Sequence, residues 1–228
     1  MQIQNTIQEN SNQQGFYFIE APQQSIRNLA KLCKLFGLDQ ELLDNFLIDN
    51  GAVIAGGSLL WCINPFSEIS NFDSDIDFFF PNGSSQEISP NDFSNDWIES
   101  GKGTIYQTKI DFEYQKSRER IYKKIPYVKD IKTWTNSGKK IQFIYLETDY
   151  PKAHVRTFDM SVCQNIYDGK AIYMNKLYKE LTLAGYNKLL KDVMIQDDEV
   201  FSTRIKKYES RGYKSVSHNP KHLSYAQV

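Results

Sequence analysis

Two runs of this chain place reactive groups close together: Val53-Ile-Ala-Gly-Gly-Ser58 and Ser74-Asp-Ile-Asp-Phe-Phe-Phe80. Side chains alternate faces along a strand, so Asp73, Asp75 and Asp77 share one face while Ile76, Phe78 and Phe80 share the other. Clustered carboxylates repel, and each raises its neighbour's pKa unless a cation intervenes. A hard divalent cation, Mg2+ or Mn2+, takes carboxylate oxygens and keeps coordination positions open for phosphate. Two such ions can bind the attacking and leaving oxygens of an in-line displacement. The Gly56-Gly57-Ser58 turn supplies the complementary half. Glycine lets backbone N–H groups approach a phosphate, the start of the following helix favours anions, and the Ser58 hydroxyl adds a contact. Gly-Gly turns and Asp-x-Asp pairs are each common as plain turns and solvated strand ends. Their occurrence in this order, each beside an apolar strand, points to a seat for a nucleoside triphosphate and metal.

The elements around these runs can be read from periodicity. Ile26, Leu29, Leu32, Cys33 and Phe36 recur at helical spacing, with Ser25 as the expected cap and Gly37 as the stop. Asp39 is placed to cap a second helix carrying Leu42, Leu43, Phe46 and Leu47. A strand over 52–55, a short helix over 58–63 and a strand over 75–80 follow. Strands are expected over 104–114, 131–135, 140–147 and 158–166, with a hairpin extension over 169–173. Residues 89–97 read as a loop with a helical turn, and 151–155 as a short helix. Helices are expected over 177–190 and 200–211. The divisions are a core over 16–174 that includes the N-terminal helices, and a C-terminal helical basic region over 175–228 packed on it. Residues 1–15 are polar and read as loosely ordered.

A hydrophobic strand, then Gly-Gly/Ser, then Asp-hydrophobic-Asp-hydrophobic resembles the nucleotidyltransferase superfamily related to polymerase beta. The resemblance covers the first half of the folded chain best. It implies an α/β (α+β) fold: a mixed nucleotidyltransferase-type sheet flanked by helices, with an N-terminal helical lead-in and C-terminal helices. It also implies that Gly56, Gly57 and Ser58 hold the triphosphate and that Asp75 and Asp77 bind metal. The gap before Asp75 is longer than usual, which implies an insertion around 64–71 and leaves Asp73 as a rival ligand. The family adds a third carboxylate that serves the acceptor hydroxyl. Asp159 is the first choice for that role and for a third metal ligand, because a lone Asp in an apolar stretch needs a partner. Glu147 and Asp111 are rivals.

The run Ser202 to Tyr213 places Arg204, Lys207 and Arg211 on one helical face, with Ile205 and Tyr208 expected elsewhere. Such a stripe can clamp a triphosphate or track an RNA backbone. A solvated charged face is the plain alternative. The functional expectation is a metal-dependent nucleotidyltransferase that moves a nucleoside monophosphate from an NTP to an acceptor hydroxyl. An RNA 3′ end is slightly favoured over a protein or a small molecule, with RNA or tRNA as the candidate partner. The alternatives are a non-catalytic nucleotide- or RNA-binding module of the same fold, and a toxin-like enzyme that modifies protein or tRNA.

Bulk properties narrow the field without choosing within it. The 228 residues carry a net charge of −1, which provides no whole-molecule attraction to nucleic acid or membrane. A 40% hydrophobic and 14% aromatic content fits a globular chain. Cys33, Cys62 and Cys163 lie far apart in apolar stretches and read as reduced core thiols. No apolar run reaches membrane-spanning length and the N-terminus is no signal peptide, so a cytoplasmic protein is expected. His154 reads as a surface or capping residue. His218 and His222 are separated by Pro220, which disfavours a shared helix face and hence a metal pair.

Overall fold

The computed structural model describes residues 17–102, 128–190 and 199–216. Its centre is an eight-stranded sheet made of β1 (Phe18–Glu20), β2 (Val53–Ala55), β3 (Ile76–Phe80), β4 (Ile98–Lys102), β5 (Val128–Asn136), β6 (Lys139–Leu146), β7 (Asn165–Tyr167) and β8 (Ile172–Asn175). The spatial order is β1-β8-β7-β2-β3-β6-β5-β4. β3 and β6 pair in parallel, and the other neighbours are antiparallel. A separate parallel pair joins β9 (Tyr186–Lys188) to β10 (Lys214–Val216).

The helices are α1 (Gln24–Phe36), α2 (Gln40–Asp49), α3 (Gly57–Ile63), α4 (Pro151–Val155), α5 (Lys179–Leu183) and α6 (Glu199–Ser210). The fold is therefore a mixed sheet flanked by helices, as expected. The Asp39 side chain caps α2 by accepting from the Leu42 N–H at 3.0 Å. In α1 the cap differs: the helix begins before Ser25, whose side chain is buried in the first turn. Gly37 ends α1 with φ 66°. Leu42 stands 50% exposed, so the inner face of α2 is Leu43, Phe46 and Leu47.

Strand alternation divides the core in two. Ile76, Phe78 and Phe80 join Ile141 and Phe143 of β6 under α1 and α2. On the other face Val53, Ala55, Phe79, Ile144 and Leu146 pack with Val155 of α4. Phe46, Phe78, Phe80, Phe93 and Phe143 pack with ring centroids 4.6 to 6.5 Å apart. This cluster fixes the register of β3, since a one-residue slip would bring its aspartates into the aromatic core. A third cluster of Leu60, Met160, Val162, Cys163, Leu189, Tyr208 and Tyr213 docks α6 and its flanks against α3.

Several expectations change. Residues 158–166 do not form one strand: Met160 makes an isolated bridge to Leu189, and Ser161–Cys163 is a 3-10 turn before β7. Here side chains take over from the ladder. The Gln164 amide donates to the carbonyls of Arg156 and Phe158, each at 2.9 Å. The Asn165 amide donates to the Val162 carbonyl at 2.8 Å, and Ser161 Oγ accepts from the Lys188 N–H at 2.8 Å. Local polar bonds of this kind compete with regular structure. The expected helix over 177–190 is only the five-residue α5, because the chain turns into β9 to pair with β10. The short edge strands β1 and β4 were not anticipated. The expected strand over 104–114, residues 1–15 and the two C-terminal histidines lie outside the described residues. All three cysteines are free and buried. No helix among the described residues is long and apolar enough to cross a membrane.

His154 is not a surface residue. It is buried against Phe79 and Phe158, each ring centroid 5.7 Å away, and its Nδ1 has no hydrogen-bond partner. Burial pushes its pKa down from 6.5 to about 4. The unfolded chain therefore takes up the proton first, and stability declines as pH falls from 6.5 toward 4. The loss is on the order of 3 kcal/mol. His154→Phe removes this titration and should flatten urea-unfolding stability across that interval. An unchanged slope would assign the acid sensitivity to other groups.

Candidate active site

The turn between β2 and α3 requires glycine at its first position. Gly56 has φ 92° and ψ −150°, a conformation essentially closed to side-chain-bearing residues. A Cβ there would sit 3.4 Å from Asp77 Oδ2. Gly57 is needed for a different reason: a Cβ would meet Ser74 Oγ at 3.0 Å, Arg211 Nη1 at 3.3 Å and Tyr208 Oη at 3.4 Å. The bare backbone of Gly57 is thus the floor on which two distant chain segments converge. Ser58 is fully buried and its hydroxyl has no hydrogen-bond partner.

Asp77 lies on β3 opposite Ala55 of β2 and Gln142 of β6. Its Oδ1 is buried without a hydrogen-bond partner. Burial, with the Asp75 charge adding to it, pushes the Asp77 carboxyl up to about 7, while Lys140, Lys207 and Arg204 pull it back. Asp75 immediately precedes the strand and pairs with Lys140 at 2.8 Å. The parallel register that sets Ile76 beside Ile141 brings Lys140 to that position. Asp73 departs from the simple alternation, because the strand starts only at Ile76; its carboxylate turns to Arg211.

The basic run lies over this turn. Lys207 Nζ donates to Ser74 Oγ at 3.4 Å, and Arg211 Nη2 donates to the same oxygen at 3.4 Å and to Asp73. Arg204 pairs with Asp159. Tyr208 shares this face, contrary to expectation. It lies one turn from Arg204, and its hydroxyl accepts from Cys163 Sγ at 3.0 Å. Phe66, from the segment between α3 and β3, lies under Arg211 with 4.7 Å from the guanidinium carbon to the ring centroid. The longer gap before Asp75 therefore delivers a platform for Arg211.

The donor set suits a hard divalent cation at Asp75 and Asp77: two neighbouring carboxylates, one with an orphaned buried oxygen and a pKa raised by burial and then by its neighbour's charge. Asp159 stands apart from that pair, buried and bound to Arg204, and no group of three or more metal-binding side chains forms among the described residues. Glu147 is exposed just beyond β6, five residues past the Gln142 neighbour of Asp77, or about 16 Å along the strand. Asp111 lies outside the described residues. Ser74, Lys140 and Phe66 were not singled out in the sequence. Their roles come from cross-strand register and the packing of α6, which no local pattern announces.

A family model described as Gabija anti-defense 2 (Gad2) family protein matches residues 28–181, about two thirds of the chain, from α1 to α5. The chain belongs to the Gad2 family. The matched span contains Gly56, Gly57, Ser58, Asp75, Asp77 and Asp159, whereas Arg204, Lys207 and Arg211 follow it. No curated protein matches. Among solved structures, this Gad2-family chain is similar to a CCA-adding enzyme in complex with CTP, at 14% identity and a TM-score of 0.45. The likeness covers 88% of this chain and 44% of that one, so the chain spans less than half the length of that structure.

Gly56→Ala should destabilise the protein by about 1–3 kcal/mol in chemical denaturation, the cost of a side chain in this backbone region. A neutral effect would mean that the turn can relax. In EDTA, Asp77→Asn should stabilise the protein. The folded-state pKa is raised from 3.8 to about 7, so the wild type keeps its stability below about pH 4 and loses it as pH rises through 7. Thermal melts should show the gain from Asp77→Asn to be large at pH 8 and small at pH 4. The reverse order would contradict the burial assigned to this carboxyl.

Proposed function

We propose that this Gad2-family chain is a metal-dependent nucleotidyltransferase whose activity acts against the Gabija defense named in its family. The observation carrying this reading is the convergence of Arg211 and Ser74 on the bare Gly57 backbone, with Lys207 bound to Ser74, beside the Asp75–Asp77 pair. Cations over a glycine floor suit the phosphates of an NTP, and the neighbouring carboxylates suit the charge-neutralising ion that phosphates bring with them. Held by Asp75 and Asp77, Mg2+ or Mn2+ would polarise the phosphate and offset its charge.

The protein's own residues orient the reaction. Gly56 and Gly57 admit the phosphates to the backbone, Lys207 and Arg211 bear their charge, and Ser74 hydrogen-bonds them. An acceptor hydroxyl oxygen attacks the α-phosphorus and releases its proton to water, the bond to the bridging oxygen of the β-phosphate breaks, and pyrophosphate leaves with its charge against Lys207 and Arg211. Positioning and electrostatic complementarity are the main contributions such a site makes. In this proposal Asp159 positions Arg204 instead of binding the ion, because it does not form one ligand group with Asp75 and Asp77. The inward pairing of Arg204 and Arg211 supports a role for the stripe at the nucleotide more than along an RNA backbone. We place the acceptor hydroxyl on a component of the defense.

The engagement of Asp159 favours one second reading, a nucleotide-binding module of the same architecture that does not transfer. Incubation with α-labelled NTPs, Mg2+ or Mn2+, purified Gabija components and a mixed RNA pool separates the two. Transfer is expected to a Gabija component, and Asp75→Ala and Asp77→Ala should each reduce it by at least about a hundredfold while the fold persists. Wild-type turnover in either variant would remove the metal assignment. Tight NTP binding without transfer to any acceptor would select the binding module, and label on RNA would move the acceptor there.

A further inference from the structure

Arg211 and its counter-ion differ sharply in how they are held. The arginine side chain is 4% exposed, while that of Asp73 is 65% exposed. The guanidinium is fixed by Phe66 at 4.7 Å, by Tyr208 at 5.5 Å and by the Gly57 floor. Asp73 is held through Arg211 at the rim, where water can solvate it if it leaves. Arg211 Nε and Nη1 are buried without a hydrogen-bond partner, so a single carboxylate oxygen leaves much of the guanidinium's donor fork unused. An uncompensated buried charge is costly, and the strongest compensation for arginine is bidentate pairing with a planar or tetrahedral oxyanion.

We propose that Asp73 is an exchangeable counter-ion that occupies the triphosphate seat and sets which phosphate species can enter it. It fills one arm of the Arg211 fork until a polyphosphate displaces it into solvent. A displacing ligand must supply more charge and more acceptor oxygens than the carboxylate it replaces. Tripolyphosphate and the tail of an NTP do so, with Lys207 and Ser74 adjacent to take further oxygens. Inorganic phosphate brings too little to offset the loss of the ion pair. Asp73 is thus a specificity-determining residue that rejects short phosphates, and a rival of the substrate instead of a metal ligand. The inference rests on the proposed triphosphate seat but not on transfer.

The test is equilibrium binding of sodium tripolyphosphate and of inorganic phosphate to the full chain, in EDTA and at fixed low ionic strength. This takes Asp75 and Asp77 out of play as cation ligands and requires no reaction. Asp73→Asn is expected to bind tripolyphosphate about tenfold more tightly than wild type, and to bind inorganic phosphate where wild type does not. Asp73→Glu, which keeps the charge, should return toward wild type. Glu68→Gln, which removes an exposed charge from the same segment, controls for net charge and should change little. Arg211→Gln should abolish binding in either background. If Asp73→Asn proves unstable alone, its thermal shift with tripolyphosphate should still exceed that of wild type. Unchanged or weaker tripolyphosphate binding in Asp73→Asn, or an equal gain in Glu68→Gln, overturns the proposal. Tight, Asp73-limited polyphosphate binding without nucleotidyl transfer would leave this inference standing while the transferase reading fell.

Discussion

A carboxylate buried at the junction of β2 and β3, next to a second carboxylate, is the constraint on which the rest of this structure turns. Asp77 cannot be ionised cheaply where it lies, and Asp75 makes ionisation harder. Three cations from two elements answer this. Lys140 comes from β6 through the strand register, and Lys207 and Arg204 come from α6 through its docking on α3. The aromatic cluster on the opposite face of β3 prevents the strand from slipping to relieve the crowding. The sheet therefore holds an electrostatic conflict in place, and the surrounding helices moderate it without removing it.

The same arrangement explains why the glycine turn and the C-terminal helix belong to one site. A side chain at Gly57 would crowd Ser74 and Arg211 and touch Tyr208, so the bare floor eases the approach of the basic run. Tyr208 and Ile205 provide apolar docking, and the cations ride on the same element. Packing and chemistry are coupled: weakening the Tyr208 contacts should loosen the cations as well as the fold. Arg211 is the extreme case, since its burial makes it at once a structural anchor and an ion-paired group with two donor nitrogens left unused.

What the sequence revealed follows from which interactions are local. The glycine turn and the α2 cap at Asp39 depend on short spacings and take the expected form, while Asp75 falls just before the strand and Tyr208 joins the face of the stripe Arg204–Lys207–Arg211. The strand expected around Asp159 fails because the amides of Gln164 and Asn165 bond to nearby carbonyls, a competition that alternation of apolar residues cannot disclose. His154 looked like a surface histidine because its burial comes from Phe79 and Phe158, which meet it only in three dimensions. Lys140 and Ser74 carry no motif. Their part in the site depends on a parallel strand pairing and on a helix more than a hundred residues away.

The central claim is that the carboxylate pair and the cationic floor form one seat, in which metal and triphosphate are held together. The direct measurement is a manganese EPR titration of the protein with and without a non-hydrolysable NTP. A shared seat predicts that each ligand tightens the other by the same factor, as linkage requires, and that Asp75→Ala removes this coupling. Manganese and nucleotide binding that are mutually indifferent would place them in separate sites and contradict the account.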